Sequence, residues 1–444
     1  MSKKYFGTDG VRGTVGTEPM TAEFAMRLAS AAARVLVPEG GTVLIGKDTR
    51  VSGYMFESAL EAGFVAAGAD VLLLGPLPTP GIAVLTQEFK ADLGVVISAS
   101  HNPFQDNGIK FFDGNGSKLS DDIEAAIEAE VEKPAATLES TCLGQAKRID
   151  TARKRYQAFC AGTFPEGLTL EGLKIVFDGA NGAGYKVGPR ALADLGAEVI
   201  PIGCSPNGRN INAGCGSTNP TLLATTVPAV GADVGIALDG DGDRVVMIDE
   251  TGQIIDGDQL LYILATSRQQ SGRLKGPVVG TVMSNLGLEH ALRAQSINFR
   301  RAAVGDRYVL EALRESGGII GGETSGHMIV LDQTTTGDGL ICALQILAVM
   351  KESGQPLSRL AGGMVKYPQT MVNVRVKNKM NPDDSPAICK AVLEAEDVLK
   401  DTGRIVLRAS GTEPVIRVMV EGQDATQVSE MAKQLAAIVA EVAG

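Results

Sequence analysis

GTVLIGKDTR at 41–50, a helical run through Ala59 to Ala67, and GADVLLLG at 68–75 form the stretch from which the fold is read. A β-type run ends in a Gly/Asp turn, a helix follows, and a second β-type run closes the unit. Two later stretches repeat that order. LKIVFDGANG at 173–182 leads through a helical run to GAEVIPIG at 196–203. GPVVGTVMSN at 276–285 leads through LGLEHALRAQ to SINFRRAAVG, ending at 305. Similarity at a spacing of over one hundred residues predicts repeated α/β domains rather than a solenoid. The C-terminal part reads differently. VNVRVKN, RIVLRAS and PVIRVMVE alternate in the pattern of half-buried strands, and a helical run from Ala425 to Val442 follows. The expected architecture is three similar α/β domains at 1–150, 151–250 and 251–365, then a smaller α+β domain at 366–444. Lys133, Pro134 and the polar stretch to about 150 read as the first linker.

Composition removes several classes of function. The net charge is −11, so the molecule as a whole does not attract nucleic acid or an anionic membrane. Aromatics are 4% with no Trp, which leaves little to stack single-stranded bases on. The six Cys contain no C-x-x-C pair, which argues against zinc and for free thiols in a reducing compartment. No secretory leader and no run of about 18 apolar residues is present, so the expected location is the cytoplasm. Walker A and G-x-G-x-x-G strings are absent, and with them the common nucleotide-binding modes.

The string DGDGDR at 239–244 lies between two β-type runs. Gly240 and Gly242 let the backbone curl so that Asp239, Asp241 and Asp243 converge. Three clustered carboxylates repel, and a divalent cation relieves that cost. Oxygen-only ligands favour Mg²⁺ or Ca²⁺ over zinc. An acidic turn is the plain alternative. An EF-hand loop is excluded, because Arg244 stands where its sharp turn needs Gly.

Three further strings carry polar groups on loops. VVISASHNPFQDNGIKFF at 95–112 holds Ser98, Ser100, His101 and Asn102 before Pro103. GGETSGH at 321–327 offers Glu323, Ser325 and His327 to hydroxyl or amine groups of a sugar. RASGTEPVIR at 408–417 brings hydroxyls, backbone N–H groups and guanidinium forks, which a phosphate dianion requires. FGTDGVRG at 6–13 and GKDTR at 46–50 read in isolation as plain turns.

In order along nearly the whole chain, ASHNP, DGDGD, GETSGH and SGTEP resemble the four signatures of the α-D-phosphohexomutase superfamily. FGTDGVRG, ASHNPFQDNGIKFF, CGSTNP, MSNLGLE and TTGDG are similar to its bacterial amino-sugar branch. Thr324 stands where that branch usually carries Gln, and Asn219 where it carries His.

The resemblance implies four domains around a central cleft, each bringing one loop. It implies a phosphoserine at Ser100, and one Mg²⁺ held by Ser100, Asp239, Asp241 and Asp243. His101, Lys110 and His327 would join Ser100 as catalytic residues, with Lys110 and His327 both open as general base or acid. Arg12, Arg244, Glu323 and Ser325 would bind substrate, and Arg408, Ser410, Gly411, Thr412 and Arg417 would dock its standing phosphate. The implied reaction interconverts glucosamine 6-phosphate and glucosamine 1-phosphate through glucosamine 1,6-bisphosphate, which or a similar bisphosphate also serves as activator. The product would feed UDP-N-acetylglucosamine and cell-wall synthesis, and a homodimer is implied. The alternatives are the same chemistry on hexose phosphates, a non-catalytic sugar-phosphate sensor, and a Mg²⁺-dependent phosphatase.

Overall fold

The computed structural model describes residues 4–7, 9–135, 137–377, 380–409 and 414–443. Its first sheet has seven strands, in the spatial order Phe6–Gly7, Gly10–Thr14, Asp106–Asp113, Leu93–Ile97, Thr42–Lys47, Asp70–Pro76 and Ala146–Arg148. The second has five, in the order Ile254–Ile255, Val245–Asp249, Val234–Leu238, Lys174–Asp178 and Glu198–Ile202. The third has four: Phe299–Ala302, Val278–Thr281, Ile320–Gly322 and Met328–Val330. The last is an antiparallel sheet of Gln369–Arg375, Val415–Gly422 and Gly403–Ala409, with helices Pro386–Leu399 and Ala425–Ala443.

The first three sheets share one four-strand unit. A first strand pairs in parallel with the second and with the third, and the third pairs antiparallel with the fourth. In the first sheet these are Thr42–Lys47, Asp70–Pro76, Leu93–Ile97 and Asp106–Asp113. In the second they are Lys174–Asp178, Glu198–Ile202, Val234–Leu238 and Val245–Asp249. In the third they are Val278–Thr281, Phe299–Ala302, Ile320–Gly322 and Met328–Val330. The three repeated stretches of the sequence are the first strand, helix and second strand of each unit. The third strands LGVVI and VGIAL are buried along their full length, as expected of strands covered by helices on both faces.

The polar stretch read as a linker is structured at its end. Ala146–Arg148 adds an edge strand parallel to Asp70–Pro76, and Gly144 N–H donates to Val65 O at 3.1 Å. All three residues of that strand are exposed, so no apolar alternation announces it.

Helix Gly339–Ser353 is apolar almost all round and buried where the second and third units meet. Asp338 caps it, accepting from Ile341 N–H at 2.9 Å, and also accepts from the Tyr156 hydroxyl at 2.6 Å. One apolar core takes side chains from all of the first three units, beside further clusters within each, whereas the C-terminal unit shares none of it and packs its own. That last unit meets the third unit through polar groups. Glu421 is fully buried and accepts from Leu286 N–H (2.9 Å), Gln369 Nε2 (2.9 Å) and Arg404 Nε (2.7 Å). Asn285 pairs by its side-chain amide with both backbone groups of Tyr367, at 2.9 and 3.0 Å.

Candidate active site

One topological position, the link between the third and fourth strands, carries the chemistry of all three units. The serine loop follows Leu93–Ile97, the three-Asp loop follows Val234–Leu238, and the GETSGH loop follows Ile320–Gly322. Packing of the units brings these links together.

Ser100 is buried and takes φ +50°, a left-handed conformation that L-residues adopt at a cost. Its Oγ donates to Asp239 Oδ2 at 2.6 Å, across the boundary between the first two units. Gly240 permits this approach: a Cβ there would lie 2.6 Å from Ser100 O. His101 Nδ1 faces Ser100 Oγ at 3.4 Å and the Arg244 guanidinium at 2.9 Å. Burial, then Arg244 and Arg12, pull the His101 imidazole down to about 4, so it is neutral at physiological pH. Its Nδ1 is then the acceptor for Arg244.

The carboxylates of Asp239, Asp241 and Asp243 are buried, with oxygens within 4.8 Å of one another. Burial, reinforced by Asp243 and Asp241, pushes the Asp239 carboxyl well up. Asp241 goes the other way: burial would raise it, but Lys110, Thr79 and Arg12 together outweigh burial and hold it below the usual range. Asp241 Oδ1 and Asp243 Oδ1 are buried with no hydrogen-bond partner among the described residues. Unsatisfied buried carboxylate oxygens that repel one another are what an oxygen-liganded divalent cation would satisfy, so these residues fit a metal site.

A chain of ion pairs surrounds the cluster. Lys110 Nζ lies 2.8 Å from Asp241 and 2.9 Å from Asp9. Lys118 Nζ bridges Asp9 (2.6 Å) and Asp306 (2.5 Å). His327 sits between Asp243 (3.6 Å) and Asp306 (3.5 Å). Burial would lower the Lys110 amine and the His327 imidazole. Asp241 and Asp9 hold Lys110 above its usual value instead, while Asp306 and Asp243 raise His327 to about 9. Both are therefore cations at neutral pH. Gly337 lies flat on the His327 ring, where a Cβ would meet Nε2 at 2.2 Å.

Above this cluster opens a cavity of about 410 Å³, lined by groups from the first three units. Arg12, His101, Asp243, Arg244, Glu323 and His327 all face it. Ser100, Lys110, Asp239 and Asp241 are buried one layer behind. Glu323 Oε1 accepts from Gly305 N–H at 3.0 Å. Ser325 is exposed at the loop tip and does not line the cavity. Arg408 and Arg417 face each other across adjacent strands of the C-terminal unit, and neither lines the cavity. Ser410, Gly411 and Thr412 lie outside the described residues.

Reading by strings missed Asp9, Lys118 and Asp306. The signal for Asp9 was FGTDGVRG, taken in isolation as a turn; the other two are single residues that only folding brings together. GKDTR was also passed over, although its Arg50 is fully buried against the serine loop. Thr324, the departure from the amino-sugar pattern, donates to Asp258 Oδ2 at 2.8 Å.

The comparisons agree with this architecture. The chain is matched by phosphoglucomutase/phosphomannomutase alpha/beta/alpha domain I over residues 3–137, domain II over 156–252, domain III over 256–367 and the C-terminal domain over 371–438. A phosphoglucosamine mutase of Aeromonas salmonicida is 57% identical over 98% of both chains. One of Thioalkalivibrio sulfidiphilus is 55% identical over 100% of this chain and 99% of its own. Among solved structures, a phosphoglucomutase/phosphomannomutase family protein of Burkholderia thailandensis shares the fold with a TM-score of 0.79 at 23% identity, covering 97% of this chain and 96% of its own. With four domains matched in order and such relatives along its whole length, the chain belongs to the phosphoglucomutase/phosphomannomutase family, on its phosphoglucosamine mutase branch.

Proposed function

We propose that the protein interconverts glucosamine 6-phosphate and glucosamine 1-phosphate, with Ser100 carrying the phosphoryl group in turn. The observation that supports this most is the 2.6 Å contact of Ser100 Oγ with Asp239 beneath a cavity rimmed by Arg12, Arg244 and His327. A nucleophile, a carboxylate cluster and a cationic rim are the parts that phosphoryl transfer needs. The names of relatives 57% and 55% identical support the amino sugar as substrate.

In the forward direction the bond from phosphorus to Ser100 Oγ breaks, and a bond from phosphorus to the free sugar hydroxyl forms. The proton that leaves the sugar hydroxyl is the one taken up by the departing Ser100 oxygen, which then donates it to Asp239 as in the unphosphorylated chain. The glucosamine 1,6-bisphosphate so formed turns end over end and returns its other phosphate to Ser100. Arg12, Arg244, Lys110 and His327 oppose the charge of the phosphoryl oxygens. Lys110 and His327 are raised by their carboxylate neighbours, so in the chain without metal each faces the phosphoryl oxygens as a cationic hydrogen-bond donor. His101 accepts from Arg244 and keeps that guanidinium beside Ser100. Glu323, which faces the cavity, holds sugar hydroxyls, whereas Ser325 at the exposed loop tip takes no part in that hold. Mg²⁺ on Asp239, Asp241, Asp243 and the Ser100 group would offset negative charge on the transferring phosphate.

The units at 1–150, 151–250 and 251–365 supply the serine, metal and sugar loops, and that at 366–444 the phosphate clamp of Arg408, Ser410, Gly411, Thr412 and Arg417. A bisphosphate would activate unphosphorylated enzyme by charging Ser100. Phosphorus NMR of the purified protein with Mg²⁺ and equal glucosamine, glucose and mannose 6-phosphates tests the reading. Glucosamine 1-phosphate should appear first. A hexose 1-phosphate leading instead would overturn the substrate, and free phosphate as main product would overturn the mutase.

A further inference from the structure

The serine loop is gripped from two sides by donors that the chemistry above leaves unused. Arg50 of the first unit is fully buried. Its Nη2 donates to Ser100 O at 2.9 Å and Asn102 O at 2.8 Å, and its Nη1 to Asp106 O at 3.1 Å and to Pro103 O. Its Nε donates to Asp48 Oδ2 at 2.7 Å, and that oxygen also accepts from Ser98 Oγ at 2.6 Å. From the second unit, Asn212 Nδ2 donates to the same two carbonyls, Ser100 O at 2.9 Å and Asn102 O at 3.1 Å. Asn212 itself takes φ +58°, and its N–H donates to Ala180 O at 2.9 Å.

We propose that Arg50 and Asn212 are positioning residues that clamp the carbonyls of Ser100 and Asn102, fixing the left-handed turn that aims Ser100 Oγ at Asp239. The carbonyl of Ser100 reports the ψ angle of that residue. With donors on two sides it cannot swing, so the φ +50° state is held against relaxation to negative φ. Pinning Asn102 O fixes the far end, so His101 is stretched between two anchored peptides. Only a planar fork reaches several carbonyls at once, which a lysine ammonium does not reproduce. The clamp joins two units, so the aim of the nucleophile depends on their register.

The kinetic consequence rests on the proposed mutase activity, whereas the geometry does not. The test uses the full chain with Asn212→Ala, Asn212→Asp and Arg50→Lys, read by mutase kinetics, thermal midpoint and amide exchange of residues 98–106. Asn212 is partly buried whereas Arg50 is fully enclosed, so Asn212 carries the test should Arg50→Lys fail to fold. A small misplacement of a reacting group costs up to about a hundredfold. We expect Asn212→Ala to lower kcat at least tenfold with KM within about twofold, a modestly lower thermal midpoint, since alanine tolerates φ +58° less well than asparagine, and faster exchange in 98–106. Asn212→Asp should be worse, because a carboxylate then faces two carbonyl oxygens. Wild-type kcat in Asn212→Ala, or Asn212→Asp behaving as wild type, would overturn the clamp. If the wild-type protein has no mutase rate at all, the function fails, and unchanged exchange at 98–106 in Asn212→Ala still decides against the clamp on its own.

Discussion

Ser100 donates its hydroxyl to Asp239 from a strained backbone, so its removal should cost chemistry and little else. Ser100→Ala is expected to abolish turnover while the fold survives with a modestly lower thermal midpoint, since a buried Asp239 oxygen loses its donor; a retained mutase rate would sink the phosphoserine. Asp241→Asn removes a carboxylate from the three-Asp cluster, and rate and Mg²⁺ dependence should fall together in a metal titration, with full rate in excess EDTA as the contrary result. Gly337→Ala tests the seat of His327. The added methyl must push against a ring atom 2.2 Å away, so we expect a loss of about 1–3 kcal/mol in denaturant unfolding and a lower kcat. Ser100 and the three Asp were legible because each group is nearly complete within one string. Asp9, Lys118 and Asp306 were not, because their meaning is the ion-pair chain they form across the first and third units. A lone Lys in a turn has no signature until a carboxylate from elsewhere arrives beside it.

At the scale of elements, helix Gly257–Gln270 opens on two buried acids with different duties. Asp256 caps the helix and pairs with Lys366. Asp258 accepts from Asn285 N–H at 2.9 Å and from Thr324, which ties the sugar loop to the segment that meets the C-terminal unit. Burial, then Asp256, raises the Asp258 carboxyl from 3.8 to about 6. A raised acid binds its proton more tightly when folded. Its contribution to stability is full below about pH 3.8 and is lost as pH rises through about 6. Asp258→Asn should flatten that slope and recover on the order of 2–3 kcal/mol near pH 7, measured by urea unfolding across pH 4 to 7. An unchanged slope would place the titration elsewhere. The buried third strands were legible from their unbroken apolar runs. Ala146–Arg148 was not, since an edge strand with every side chain in solvent carries no alternation to read.

Across the whole molecule, the C-terminal unit has a separate core and a polar seam, the construction expected of a part that moves as a body. Arg404 also donates to Val282 O at 2.8 Å and Ser284 O at 2.6 Å, so it fastens that seam. Arg404→Met should raise KM for the sugar phosphate about tenfold, with faster amide exchange at 366–369 and the first three units unaffected. An unchanged KM would remove the seam from substrate capture. The distinct character of this unit was legible from its half-buried strand pattern, whereas its seam was not, because Glu421 reads as an ordinary strand-end acid until Arg404 and Leu286 enclose it. The shared position of the serine, three-Asp and GETSGH loops, each between the third and fourth strand of its unit, is what descent from one repeated unit would leave. A single ancestral unit could offer one loop only. Duplication and fusion of such a unit would put three copies in one gene, each free to drift toward one task under its own selection. On the proposed function, new substrate preferences could then arise in the third copy without disturbing Ser100 in the first.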